Sequence, residues 1–162
     1  MKPILSPQLY KAIQYVYKNK GLINAPFYLG DICTAYMILE ADGTEDSAIS
    51  ALLYANMDYF SGDDISLLFG ENVVNIMTNL MTFEEELSLV TTTEREVSLI
   101  ACAIYLQELR ESSLSLDWDV EKSSFYEEML NILEDLSVPS VWIDEMRFIK
   151  EFLDKEVKCC YV

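Results

Sequence analysis

The sequence predicts an all-α, single-domain helical bundle spanning residues 1–162, and three observations carry that expectation. Apolar residues recur three or four apart in segment after segment, no convincing strand pattern interrupts them, and caps and breakers fall between the periodic runs. The length of 162 residues suits one core of ordinary size. A composition of 51% hydrophobic and 24% charged residues excludes a disordered or low-complexity chain, and no internal repeat of fixed period is present.

Ser6-Pro7 is an N-cap and first-turn signal, and Leu9, Ile13 and Val16, with Tyr10 and Tyr17, follow helical spacing until Gly21. The first helix is therefore expected over about 7–20. Asp31 is placed to cap a second helix with Ile32, Ala35, Tyr36, Ile38 and Leu39 on its apolar side, and Asp42-Gly43 ends it. Thr44, with Ser47 three residues on, opens a third and central helix through Ala48, Ile49, Ala51, Leu52 and Leu53 to near Tyr59. Asp63 to Gly70 reads as a short helical turn closed by glycine, and Glu71 to Met81 continues with Val73, Val74, Ile76, Met77 and Leu80. Glu84-Glu85-Glu86 interrupts the pattern. Thr93 then opens a helix through Val97, Leu99, Ile100, Ala103, Ile104 and Leu106 to about Arg110, with Glu94 and Glu96 in its positive first turn. Another is expected over about 120–136, and a last from Ser140 through Trp142, Met146, Ile149, Phe152 and Leu153, after the breaker Pro139.

Histidine is absent, which removes the commonest general base, the commonest zinc and iron ligand, and every triad that runs through imidazole. The cysteines Cys33, Cys102, Cys159 and Cys160 form neither a disulfide framework nor a zinc pattern, so a reducing cytoplasm fits best. No apolar run reaches a membrane span, and Met1 to Ser6 turns polar too quickly for a signal peptide. Cys159-Cys160-Tyr161-Val162 has the outline of a prenylation box, but Lys155 and Lys158 make a meagre polybasic patch, and the tail reads as a frayed end. Trp118 and Trp142 read as packing, because no basic groove accompanies them.

Charge is the most informative feature. The formal net charge is −17, which disfavours nucleic acid and anionic membranes, since each phosphate contact needs a cation. Between Lys20 and Arg95 lie 74 residues without a Lys or Arg, and they hold 13 acids. So complete a lack of cations points to a functional field and to a protein partner with a basic surface. Asp63, Asp64 and Glu71 are the candidate partner-binding residues, with a solvated polar face as the plainer explanation of any one acid.

The stretch Ala48-Ile49-Ser50-Ala51-Leu52-Leu53-Tyr54-Ala55-Asn56-Met57-Asp58-Tyr59 resembles the helix of HD-domain alarmone (ppGpp) hydrolases of the RelA/SpoT type, where "A-A-L-L" precedes His-Asp and then Glu-Asp. Asp63 to Val73 is similar to the family's "acidic-x-I-x-x-x-F-G-x-x-V" segment, and Val97 to Arg110 parallels "V-x-L-I-K-L-A-D-R-L-x-N-M-R" without a gap. Upstream, Asn19-Lys20-Gly21 and Tyr28-Leu29-Gly30-Asp31 stand where the family has "H-x-G" and "Y-x-N-H-P". The pieces fall in order over 12–110, so the resemblance implies an HD-type core there with a C-terminal helical extension over 111–162.

The departures from the family pattern concern its chemistry. The positions that the resemblance assigns to the metal read Asp31, Tyr54, Ala55 and Ile104, and the family's catalytic positions read Asp58, Tyr59 and Glu108. Asp31 and Asp58 alone make a poor metal site, so no metal, no cofactor and no hydrolysis by the family mechanism are expected. Tyr54 and Tyr59 are expected to fill the vacated cavity, while Ala55 and Ile104 turn a polar shell into apolar packing. The sharper alternative has Tyr54, Asp58 and Tyr59 lining a repurposed ligand pocket. Arg110 is expected to pair with Glu111 or a neighbour as a helix-end cation.

The expected function is that of a non-catalytic pseudo-hydrolase that binds and inhibits another protein. An immunity protein or antitoxin against a nucleotide pyrophosphokinase-type toxin is its concrete form. The alternatives are a nucleotide-binding sensor, which lacks cations for phosphate over 21–94, and an acidic phosphate mimic that blocks a nucleic-acid-binding enzyme.

Overall fold

The computed structural model describes residues 6–20, 27–85 and 95–160, and among them the chain is all helical. The helices are α1 (Pro7–Lys20), α2 (Phe27–Glu40), α3 (Glu45–Tyr54), α4 (Gly62–Phe69), α5 (Glu71–Glu85), α6 (Arg95–Ser115), α7 (Val120–Glu134) and α8 (Ser140–Cys160), with a 3-10 turn at Met57–Tyr59. Helix α6 carries ten buried residues and packs against α2, α3, α5 and α8, while α1 and α5 close over α3 and α7 lies on α8. One continuous core runs from Leu9 to Leu153, so the residues beyond 110 share it with the rest. No helix among the described residues is long and apolar enough to cross a membrane.

Several helix ends stand where local chemistry places them. Ser6 accepts from the Leu9 amide at 3.1 Å and Thr44 from the Ser47 amide at 3.1 Å, as N-caps do. Asp42-Gly43 ends α2 in a Schellman arrangement, in which the Gly43 amide reaches back to the Ile38 carbonyl at 2.8 Å and Asp42 takes the left-handed conformation, φ 58°. Gly70, at φ 96°, follows α4, and α8 begins at Ser140 after Pro139. The tryptophans do pack: Trp118 is buried beside Tyr126, with ring centroids 5.5 Å apart, and Trp142 is partly buried against the core.

Other boundaries differ from expectation. Asp31 is no cap: α2 starts at Phe27 and runs through Gly30 without breaking, because α2 and α6 meet there. A Cβ at Gly30 would overlap the Glu111 carboxylate and lie 3.3 Å from Gln107 Nε2, so glycine permits the approach. Helix α3 stops at Tyr54 rather than near Tyr59. The side chain of Asn56 donates to the Leu52 carbonyl at 2.7 Å and its backbone amide to Leu53 at 3.0 Å, which tightens the last turn and ends the helix.

The acids at 84 and 85 do not interrupt α5, since Phe83 is buried and Glu84 is held by tyrosines from α3 and α6. Helix α6 continues past Arg110 to Ser115, where serine hydroxyls bond back to carbonyls of the preceding turn and no glycine or proline intervenes. Its expected opener, Thr93, lies outside the described residues, as does Glu86. Asp119 caps α7 by accepting from the Lys122 amide at 2.8 Å, a signal the periodic pattern alone did not single out. That helix closes at Glu134, two residues early, in tight bonds from Asp135 to Ile132 and Leu136 to Leu133.

The C-terminal helices are fastened by a partly buried polar network. Trp118 Nε1 donates to Asp154 at 2.9 Å, and Lys150 Nζ donates to the other oxygen of Asp154 at 2.9 Å and pairs with Glu127 at 2.8 Å. Burial alone would raise the Asp154 pKa, but the bonds from Ser123, Trp118 and Lys150 outweigh it and hold the carboxyl below its usual value.

Two stability predictions follow from these contacts. A Cβ at Gly43 would lie 2.5 Å from Ile38 Cγ2 and 2.7 Å from the Ile38 carbonyl oxygen, whereas the left-handed residue is its neighbour Asp42. Gly43→Ala should therefore cost about 1–3 kcal/mol by overpacking, while Asp42→Gly should stay within about 0.5 kcal/mol of wild type, both read from urea unfolding. Asp154→Ala should cost about 1.5–3 kcal/mol at neutral pH. Because its folded pKa is lowered, that difference should be fully present above the ordinary carboxylate pKa and shrink as pH falls through the lowered value.

Candidate functional site

Helix α6 presents Ile104, Glu108 and Glu111 at i, i+4 and i+7, one face by helical geometry. Asp31 of α2, Tyr54 and Ala55 at the end of α3, and Glu84 of α5 meet that face around a cavity of about 230 Å³. Five positions singled out in the sequence, Asp31, Tyr54, Ala55, Ile104 and Glu108, thus share one cavity.

Phenols hold the carboxylates here. Tyr54 Oη donates to one oxygen of Glu84 at 2.5 Å and Tyr105 Oη to the other at 3.4 Å, while Tyr126 Oη of α7 donates to Glu108 at 3.1 Å. Burial first, and then the neighbouring carboxylates, push all three phenols well above their usual range, so they remain protonated donors at any physiological pH. The Glu108 carboxyl is also raised. Its crowded surroundings dominate and the charges of Glu84 and Glu111 add to them, against the bond from Tyr126 and the more distant Lys122. Asp31 is fixed from behind by Asn56 Nδ2 at 2.8 Å.

On the other side of Glu108 and Glu111 opens a cleft of about 720 Å³ between the end of α6 and α7. Leu114, Phe125 and Tyr126 form its apolar walls, and Asp117 stands at its edge, paired with Lys122 at 2.6 Å. The two hollows share Glu108 and Glu111 as their common wall.

Several expectations need correction. Tyr54 is buried, but Tyr59 is 50% exposed on the 3-10 turn and fills nothing, and Asp58 beside it is exposed; neither lines the cavity. The early end of α3 turns both outward. Ala55 is exposed and adds no apolar packing, whereas Ile104 does pack, partly buried, against the core at the wall of an acidic hollow. Arg110 pairs with neither Glu111 nor another α6 residue. Its Nε and Nη2 bond both oxygens of Glu145 on α8 at 2.7 and 2.8 Å, a bidentate grip that raises its pKa.

Asp63 and Asp64 stand in the first turn of α4 and Glu71 in that of α5, all exposed and outside both hollows. Sequence reasoning missed Glu84, Tyr105, Glu111 and Tyr126. Helical spacing from Ile104 and Glu108 leads to Glu111, but no local signal marks Tyr126, which arrives from another helix.

The divalent metal that the HD resemblance implies does not fit these residues. Asp31 supplies the one carboxylate among the four ligand positions, and among the described residues no three His, Cys, Asp or Glu side chains come together as a metal would require. Cys102 offers no nucleophile, since burial pushes its thiol up to about 12. No family model matches the chain, and no curated protein matches its sequence.

The raised Glu108 pKa has a measurable sign. The native state holds this proton more tightly than the unfolded chain, so its contribution to stability is full at acid pH and is lost as pH rises through the raised value. Glu108→Gln keeps an acceptor for Tyr126 and removes that dependence. Urea midpoints of the two proteins should therefore diverge in the variant's favour as pH climbs upward from the ordinary carboxylate range, and a constant gap would show that the carboxyl is unperturbed.

Proposed function

We propose that the protein is a non-catalytic pseudo-hydrolase of HD type that acts in the cytoplasm by binding and inhibiting another protein. The partner class that suits it best is a nucleotide pyrophosphokinase-type toxin with cationic phosphate pockets, which makes this chain an immunity protein or antitoxin. The observation that carries the reading is the shared cavity: positions chosen by the resemblance from α2, α3 and α6 lie together, as an HD-like register requires, yet present one carboxylate where four metal ligands are needed.

The electrostatics support protein binding over nucleotide sensing. Among the described residues no Lys or Arg lines the cavity, and the stretch 21–94 contains none, so a phosphate entering there meets Asp31, Glu84, Glu108 and Glu111 without a compensating charge. A basic protein surface, by contrast, is steered toward the exposed acids of α4 and α5.

Salt tests the electrostatic part of this reading. With a pyrophosphokinase toxin that the protein neutralises, the association rate should fall as the Debye length shrinks from about 30 Å at 0.01 M to about 10 Å at 0.1 M salt. The triple variant Asp63→Asn, Asp64→Asn, Glu71→Gln should associate several-fold more slowly while its stability moves by no more than about 0.5 kcal/mol per site. Stopped-flow measurement of both proteins across the salt series decides the matter. Failure to neutralise any toxin of this class, or a rate indifferent to both salt and substitution, would overturn the proposal.

A further inference from the structure

The cleft between α6 and α7 combines features that the reading above does not use. Its acids are not matched by free cations: Lys122 is taken by Asp117, while Glu108 and Glu111 face both the cleft and the inner cavity, where Asp31 and Glu84 add two more carboxylates. Its walls are apolar and open to solvent, with Leu114 88% exposed and Phe125 beside it. Asn56, 1% exposed behind Asp31, lines neither hollow, and its bonds to Asp31 and the Leu52 carbonyl belong to the fold. Among the described residues that line the two hollows, the four carboxylates Asp31, Glu84, Glu108 and Glu111 thus meet no uncommitted cation.

We infer that this cleft is the docking groove for a basic segment of the protein partner, whose arginine side chain passes between Leu114 and Phe125 to Glu108 and Glu111 and points toward the inner cavity. The inference rests on the protein-binding reading and names the contact that reading leaves open.

The choice of arginine follows from how the carboxylates are spread. No three of them converge on a point, which suits neither a metal ion nor the compact charge of an ammonium. A guanidinium carries five donors in a planar fork, reaches separated acceptors at once, and stacks on an exposed ring such as that of Phe125. The tyrosine hydroxyls already donate to Glu84 and Glu108, so an incoming cation meets oriented carboxylates and requires little rearrangement.

The apolar walls favour a peptide over a free cation. Exposed Leu114 and Phe125 gain only from a ligand that brings apolar neighbours to cover them, as the dry centre of a protein interface does. A second copy of this chain is a poor occupant. Each described arginine is engaged: Arg95 with the Ala41 carbonyl, Arg110 with Glu145 and Arg147 with Glu134.

The test uses the intact protein and defined probes at low salt. N-acetyl-Leu-Arg-Leu-amide is titrated by NMR beside its citrulline and lysine analogues and spermidine. The arginine peptide should saturate in the millimolar range or tighter and shift resonances of Glu108, Glu111 and Tyr126. The citrulline peptide, which lacks the charge, should bind at least about tenfold more weakly, with the lysine peptide between them. Glu111→Gln, at a carboxylate that accepts from Gln107 at 3.3 Å, should weaken the arginine peptide about tenfold without altering the fold. Leu114→Ala should weaken the peptide several-fold and leave spermidine unaffected.

Equal binding of the citrulline peptide, spermidine binding as tight as the peptide, or no saturation by the arginine peptide would each overturn the inference. The two proposals fail separately. If the toxin is neutralised with a salt-dependent rate but Glu111→Gln and Leu114→Ala change neither peptide nor toxin binding, the groove is wrong and the protein-binding reading stands. Peptide binding as expected, with no toxin neutralised, would leave the groove and remove the toxin reading.

Discussion

Every carboxylate that enters the interior of this protein needs a hydrogen-bond donor, and with 28 acids to 11 cations the supply of charged donors is short. The two halves of the chain meet that constraint differently. From α1 to the start of α6 the donors are mainly neutral: Ser6 for Glu45, Asn56 for Asp31, Asn72 for Asp46, Tyr54 and Tyr105 for Glu84, and Thr44 and Ser47 for Glu96. From Arg110 onward the donors are mostly cations, in the pairs Arg110–Glu145, Lys122–Asp117, Lys150–Glu127 and Lys150–Asp154. A neutral donor satisfies a carboxylate without cancelling its charge, whereas an ion pair does both. The first half is thus rigidified by its acids and still projects their field. The second is tied by ion pairs, with Asp117 and Glu127 at the surface, and leaves Glu111 without an ion pair among the described residues.

This division bears on what was legible in the sequence. Ends governed by one or two adjacent residues could be read directly: Ser6-Pro7, Thr44 with Ser47, Asp42-Gly43, Gly70 and Pro139 all stand at helix boundaries. Boundaries decided by a distant partner could not. Gly30 reads as a weak point in a helix, yet it is where α2 comes close to α6. Glu84 reads as the start of a breaker run, yet two tyrosines from other helices hold it inside α5. Asn56 ends α3 through a side-chain bond that no propensity scale contains.

The site was legible to the same degree and for the same reason. Alignment by resemblance named five residues of the cavity because each sits at a fixed offset within its own helix. It misjudged Asp58 and Tyr59, which that offset also selected, because the 3-10 turn after Asn56 carries them to the surface. Glu111 follows from Ile104 and Glu108 by helical spacing, whereas Glu84 of α5 and Tyr126 of α7, which donates to Glu108, reach the site only through tertiary packing. Arg110 makes the same point: its bidentate bond to Glu145 joins α6 to α8 across a sequence separation that periodicity does not sense.

On the HD reading, the change of ligand set changes what the site attracts. A divalent cation held among carboxylates and imidazoles offsets their charge and offers phosphate oxygens coordination positions. With Tyr54, Ala55 and Ile104 at three of the assigned positions, Asp31 in place of the family's histidine at the fourth, and Glu84, Glu108 and Glu111 around them, the hollow opposes phosphate and favours a guanidinium. Its donors are then no longer free to bind anions, because the phenols are spent on the carboxylates. On that reading the carboxylates around the hollow suit the kind of basic surface that a phosphate-handling enzyme presents, and the proposed inhibition requires no architecture beyond the helices that already hold them.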